Sequence, residues 1–138
     1  MRGRMVMGIV LGVLALAGCN NNSTPTTPTG TTTTDTFAGT LNPSGGVTSN
    51  FTTQTSGTVV ATLTTVGPDS TKPIGFALGT FNTVVNVCTI VLANDLALQG
   101  AILQASASSA GTYCVRVYDT GSVPTDTGAT YTITVNHP

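Results

Sequence analysis

Gly111-Thr112-Tyr113-Cys114-Val115-Arg116-Val117-Tyr118-Asp119 is the stretch whose reading decides the fold. Tyr113, Val115 and Val117 alternate with Thr112, Cys114 and Arg116. That period of two puts one set of side chains on each face of an extended chain. β-branched and aromatic residues suit a half-buried pleated surface. Turn chemistry closes the run at both ends, with Ala110-Gly111 before it and Asp119-Thr120-Gly121 after it.

The same alternation recurs outward along the chain. Tyr131, Ile133 and Val135 share a face, as do Val59, Ala61 and Leu63, then Ile74, Phe76 and Leu78, and Phe37 with Leu41. Asn42-Pro43-Ser44-Gly45-Gly46, Ser56-Gly57 and Gly67-Pro68-Asp69 punctuate these runs. The pattern predicts strands over 36–41, 47–53, 58–66, 73–79, 85–91, 101–106, 112–118 and 129–136. No stretch holds a helical period; Asn94 to Gln99 is the one segment expected to form a short helical turn. Short strands separated by frequent turns predict an all-β fold, an antiparallel, jelly-roll-like β-sandwich of about eight strands over 35–138.

Residues 1–34 read differently. Arg2 and Arg4 precede an apolar run from Met5 to Ala17. The run suits a signal-peptide core and falls short of the roughly 20 residues that span a bilayer. It ends in Leu16-Ala17-Gly18-Cys19. These four residues resemble the lipobox of bacterial lipoproteins. The resemblance implies a signal peptide over 1–18, removal of that peptide, and acylation of Cys19. Several acyl chains, at about 0.8 kcal/mol per buried CH₂, would make a permanent membrane anchor. Asn20 in place of Asp favours the outer membrane. From Asn20 to Thr34 the chain has no Val, Ile, Leu or aromatic residue. Nothing there offsets the entropy of ordering, so 19–34 reads as the lipidated Cys and a Thr/Pro-rich tether. Extended at about 3.1 Å per residue, the tether reaches roughly 45 Å. Its hydroxyls could carry glycans.

Composition narrows the function. The 138-residue chain has 4 Lys+Arg, 5 Asp+Glu, all of them Asp, a single His and a formal net charge of −1. That balance excludes nucleic-acid binding, which needs cations to neutralise phosphates. So few titratable groups argue against general acid–base catalysis. Two cysteines remain beyond Cys19. An exported compartment is oxidising, so Cys88 and Cys114 are expected to form a disulfide. A pair of free thiols, or a metal site completed by His137, are the alternatives. By its alternation with Val115 and Val117, Cys114 points to the outer face of its sheet, and Cys88 should approach from there.

Phe37-Ala38-Gly39-Thr40-Leu41, Gly57-Thr58-Val59-Val60-Ala61-Thr62-Leu63, the Gly111–Asp119 run and Tyr131-Thr132-Ile133-Thr134-Val135 together resemble the strand pattern of bacterial pre-peptidase C-terminal domains. Those are β-sandwiches found beside secreted proteases and in cell-surface proteins. The resemblance implies a fold and a non-catalytic role, and it transfers no binding residue.

Four chemical signals stand out. Asp119-Thr120-Gly121 and Asp126-Thr127-Gly128 match the Asp-Thr-Gly of aspartic proteases. In that family each aspartate comes from its own lobe, whereas these share one hairpin region, so the turn role of Asp and Gly accounts for them. Asp119 and Asp126 are also weak calcium candidates, short of the six to eight oxygens calcium takes. His137, the only imidazole, stands beside Pro138 where chains fray, so no base is expected to activate a Ser or Thr hydroxyl. Phe81, in a loop, and Tyr118, out of phase with Val117, are the aromatics open to a sugar.

The expectation is therefore a lipid-anchored, non-catalytic envelope lipoprotein that displays an interaction or structural module. The alternatives are a carbohydrate- or polymer-binding module and, ranked last, an aspartic-protease-like enzyme. No cofactor is expected. The expected partners are the membrane through Cys19 and an envelope protein or polysaccharide, with the domain itself monomeric.

Overall fold

The computed structural model describes residues 30–138. Within them the chain forms eight strands: β1 (Thr33–Leu41), β2 (Gly46–Thr53), β3 (Gly57–Gly67), β4 (Ile74–Asn82), β5 (Val87–Ala97), β6 (Ile102–Ala107), β7 (Gly111–Tyr118) and β8 (Ala129–His137). One sheet runs β1-β8-β3-β6 and the other β2-β7-β4-β5, all antiparallel. This is jelly-roll order. Its logic is a ribbon of nested pairs, β1 with β8, β2 with β7, β3 with β6 and β4 with β5. Rolling the ribbon adds the β8–β3 and β7–β4 contacts.

The alternating apolar residues meet between the sheets. Val59, Ala61 and Leu63 of β3 and Tyr131, Ile133 and Val135 of β8 face Ile74, Phe76 and Leu78 of β4 and Val115 and Val117 of β7. Leu41 closes this core, and Phe37 packs at its margin. Among the described residues every apolar core side chain lies between Phe37 and Val135, so residues 30–138 carry both sheets and this core.

β4 is buried on both faces from Ile74 to Gly79. Its outward positions, Gly75, Ala77 and Gly79, are small because other groups cover them. A Cβ on Gly75 would come within 2.2 Å of the Tyr118 ring. Gly79 pairs with Cys114, whose sulfur is bonded to Cys88. The Cys88–Cys114 disulfide spans a Cα–Cα distance of 5.9 Å and lies on the outer face of this sheet, as the phase of Cys114 required.

Three local expectations change. Asn94 to Gln99 is not helical: β5 runs on to Ala97. Asn94 Oδ1 accepts the Leu96 N–H, and a register shift against β4 falls between Ile74 and Phe76. The segment then turns toward the other sheet, with the Gln99 side chain accepting the Val66 N–H and Gly100 donating to the Leu63 carbonyl. Phe81 is not in a loop but in β4, opposite Cys88. β1 begins at Thr33, so the sheet takes up Thr33 and Thr34, which composition assigned to the tether; Thr34 Oγ1 donates to Asn136 Oδ1 at 2.7 Å.

Candidate functional site

The two sides of the sandwich have opposite chemistry. One is edged by β1 and β2, whose sequences are TTDTFAGTL and GVTSNFTT. The other is edged by β5 and β6. Every large aliphatic residue that is exposed among the described residues lies on or beside this second edge. At the β4–β5 hairpin, Val84 is 88% and Val85 62% exposed. Val87 follows, then Ile90 and Val91 in mid-strand. Leu96 is 72% exposed, Leu98 follows in the turn, and Ile102 opens β6.

Local geometry holds these side chains out. Asn82 Oδ1 accepts the N–H groups of Val84 and Val85, and Asn86 has φ 53°, so the turn is closed by its asparagines and the valines are left at its tip. A second register shift, between Leu78 and Gly79, leaves Val91 as the extra residue of β5. The Cys88–Cys114 bond ties the strand back to β7. β5 is thus a fixed edge with unpaired backbone groups along one side, the arrangement that accepts another strand.

Beside the stripe, Ile90, Arg116 and Tyr118 line a shallow, open depression of about 270 Å³. The Tyr118 hydroxyl donates to Asp95 Oδ1, and that carboxylate pushes the phenol above its ordinary value, with burial adding to the shift. Between the β5 and β6 edges, a cavity of about 60 Å³ is lined by Val59, Leu78, Ala105 and Tyr113 among others. It is far below the roughly 300 Å³ at which ligand sites begin.

The aspartates singled out in sequence do structural work or stand apart. Asp119 Oδ1 accepts the N–H groups of Gly121, Ser122 and Val123, and Oδ2 accepts that of Ser44 at 2.8 Å. The Ser44 amide leads in holding its carboxyl below the ordinary range, and the three turn amides add to that against the opposing effect of burial. Asp126 is exposed in the next turn. The two are not joined, and among the described residues no three His, Cys or acidic groups lie close enough to hold a metal ion together.

His137 is the residue that sequence reasoning misplaced. It does not fray: it closes β8 and is 2% exposed. Nε2 lies 3.0 Å from Asp35 Oδ2, and the ring packs on Phe51 at 5.0 Å between centroids. Its signal was its phase, since His137 continues the Tyr131–Ile133–Val135 alternation. Cys19 lies outside the described residues. Compared with known families and with curated proteins, the chain matches no family model and no curated protein.

Proposed function

We propose that this protein is an extracytoplasmic lipoprotein, anchored through Cys19, whose sandwich acts by binding rather than by catalysis. The observation that carries the reading is the aliphatic stripe along the β5 edge. Exposed aliphatic residues gathered on one side, while the opposite side stays polar, mark a contact surface. The lipobox-like Leu16-Ala17-Gly18-Cys19 supports the anchor, and Asn20 supports the outer membrane as its destination. The strand pattern shared with pre-peptidase C-terminal domains supports a non-catalytic role.

The test has two arms. Mass spectrometry of the envelope-extracted protein should find acyl mass on Cys19; an unmodified thiol overturns the anchor. A photo-crosslinker at Leu96 should trap a protein contact in the intact envelope, and one at Thr36 on the polar edge should not. Equal trapping at both positions overturns the stripe as the contact surface.

A second reading, carbohydrate binding, is favoured by the depression where the Tyr118 ring and the Arg116 guanidinium adjoin Ile90. Aromatic faces and planar cations are the groups on which sugar rings and their hydroxyls settle. A glycan array probed with wild type and Tyr118→Ala decides it.

A further inference from the structure

We infer that the β5 edge is a self-association surface, on which two copies of this chain pair their β5 strands antiparallel about a two-fold axis near Ile90–Val91. The inference rests on the binding role proposed above and names the partner. Five observations lead to it.

The first is the occupant's required chemistry. An apolar stripe alone would suit a lipid surface, but this one runs along an unpaired strand edge. Backbone N–H and C=O groups taken into hydrocarbon find no hydrogen-bond partners, so open sheet edges are not found there. The occupant must bring backbone donors and acceptors of its own, which means a strand.

The second is the symmetry of the pattern. Val85 and Leu96 flank Ile90–Val91 at equal intervals, and Val84 and Leu98 lie just beyond them. An antiparallel partner centred there sets Val85 of each copy opposite Leu96 of the other, with Val84 and Leu98 at the two ends of the contact. In that register Ile90 of each copy lies opposite Val91 of the other at the axis. The regular runs Val87–Thr89 and Leu92–Asn94 face each other across the axis and supply the ladder. Val91, the bulged residue, falls at the centre, where it contributes a side chain rather than a hydrogen bond.

The third is area. With exposures from 41% to 88%, the seven aliphatic residues of the hairpin, β5 and its following turn present on the order of 700 Å² of surface, within the range one partner contributes to a standard interface.

The fourth is charge. The only charged side chain of β5 is Asp95, and it is engaged by the Tyr118 hydroxyl on the outer face of the sheet. Pairing β5 with itself therefore brings no like charges together in the ladder. The edge also lacks lysine and proline, the residues that commonly block edge pairing.

The fifth is the tether. It enters at Thr33, which pairs with His137 at the end of the sandwich that also carries Val84 and Val85. In the antiparallel dimer the two tethers leave from opposite ends of an edge about 35 Å long. Each tether, now ending before Thr33 and with a reach of roughly 40 Å, still returns to one membrane.

The experiment is sedimentation equilibrium on residues 30–138 from micromolar to millimolar concentration, with hydrogen exchange of the β5 amides at both extremes. The expected result is a monomer–dimer equilibrium in which β5 amides gain protection as the dimer forms. Val91→Lys and Leu96→Lys alter residues 64% and 72% exposed, so each should keep the wild-type melting temperature and weaken the dimer at least about tenfold. Thr36→Lys, on the polar edge, should leave it unchanged. A monomer at every concentration overturns the self-pairing, and so does a dimer that survives both lysines. If that monomer floats with phosphatidylcholine vesicles, the stripe belongs to lipid and the inference is equally overturned. If instead a Leu96 crosslinker traps a different protein in the envelope, self-pairing fails while the binding role stands.

Discussion

Removing the Cys88–Cys114 bond should destabilise the domain by about 3.5 kcal/mol. The two cysteines are separated by 26 positions, and the chain-entropy relation for a loop of that length gives about 3.5 kcal/mol at room temperature. That is a large share of the roughly 5–15 kcal/mol that holds a domain folded. For a domain of this size it corresponds to a fall in melting temperature of about 15–25 °C. The structure adds where the loss appears first. β5 is paired only to β4, along an edge interrupted by two register shifts, and the disulfide is its one covalent tie to β7. Reduction should therefore expose the β5 amides to exchange before any other strand. The double substitution Cys88→Ala/Cys114→Ala avoids leaving a thiol in the place where Cys114 is fully buried. Urea unfolding of oxidised, reduced and doubly substituted protein is the assay, read by far-ultraviolet circular dichroism and by tyrosine fluorescence, since the chain has no tryptophan. A difference below about 1 kcal/mol between oxidised and reduced protein would refute the argument. It would mean that the unfolded chain is already compact across this loop.

Four single substitutions probe other parts of the fold. Gly79→Ala should cost at least about 3 kcal/mol by urea unfolding, because its Cβ would stand 2.1 Å from the Thr89 carbonyl oxygen and the β4–β5 backbone must move. Gly100→Ala, at φ +90° in open space, should cost only about 1 kcal/mol. The carboxyl of Asp119 is held below its ordinary 3.8 in the folded state, so its contribution is complete above that value and is lost as pH falls through the lower folded value. Asp119→Asn should flatten the acid limb of a stability–pH profile below about pH 4, and an unchanged limb would show the four amides to be unimportant. His137→Ala should cost about 1–3 kcal/mol through the lost Asp35 bond and Phe51 packing; a cost within that of Thr36→Ala would return His137 to the frayed end that its position suggests.

The strands and the faces of their side chains follow from local alternation alone. The alternation in Gly111–Asp119 and in Tyr131–Val135 names the residues of β7 and β8 that reach the core. It also puts Cys114 on the outer face, where Cys88 meets it. Period two suffices for this because the side a residue faces is a local property of an extended chain. Which strands become neighbours is not local. Only β4 and β5 pair across a short turn; Thr33 meets His137 and Gly46 meets Tyr118 across most of the domain. Those pairings arise when the nested ribbon rolls up, and they alone make β5 an edge. The apolar run from Val84 to Leu92 reads the same whether a strand is central and covered or lateral and bare, so the stripe could not be seen before the fold was. His137 was likewise invisible as a core residue, because proximity to a chain end carries no information about what the end packs against. It is Phe51 and Asp35, on strands from opposite sheets, that bury it.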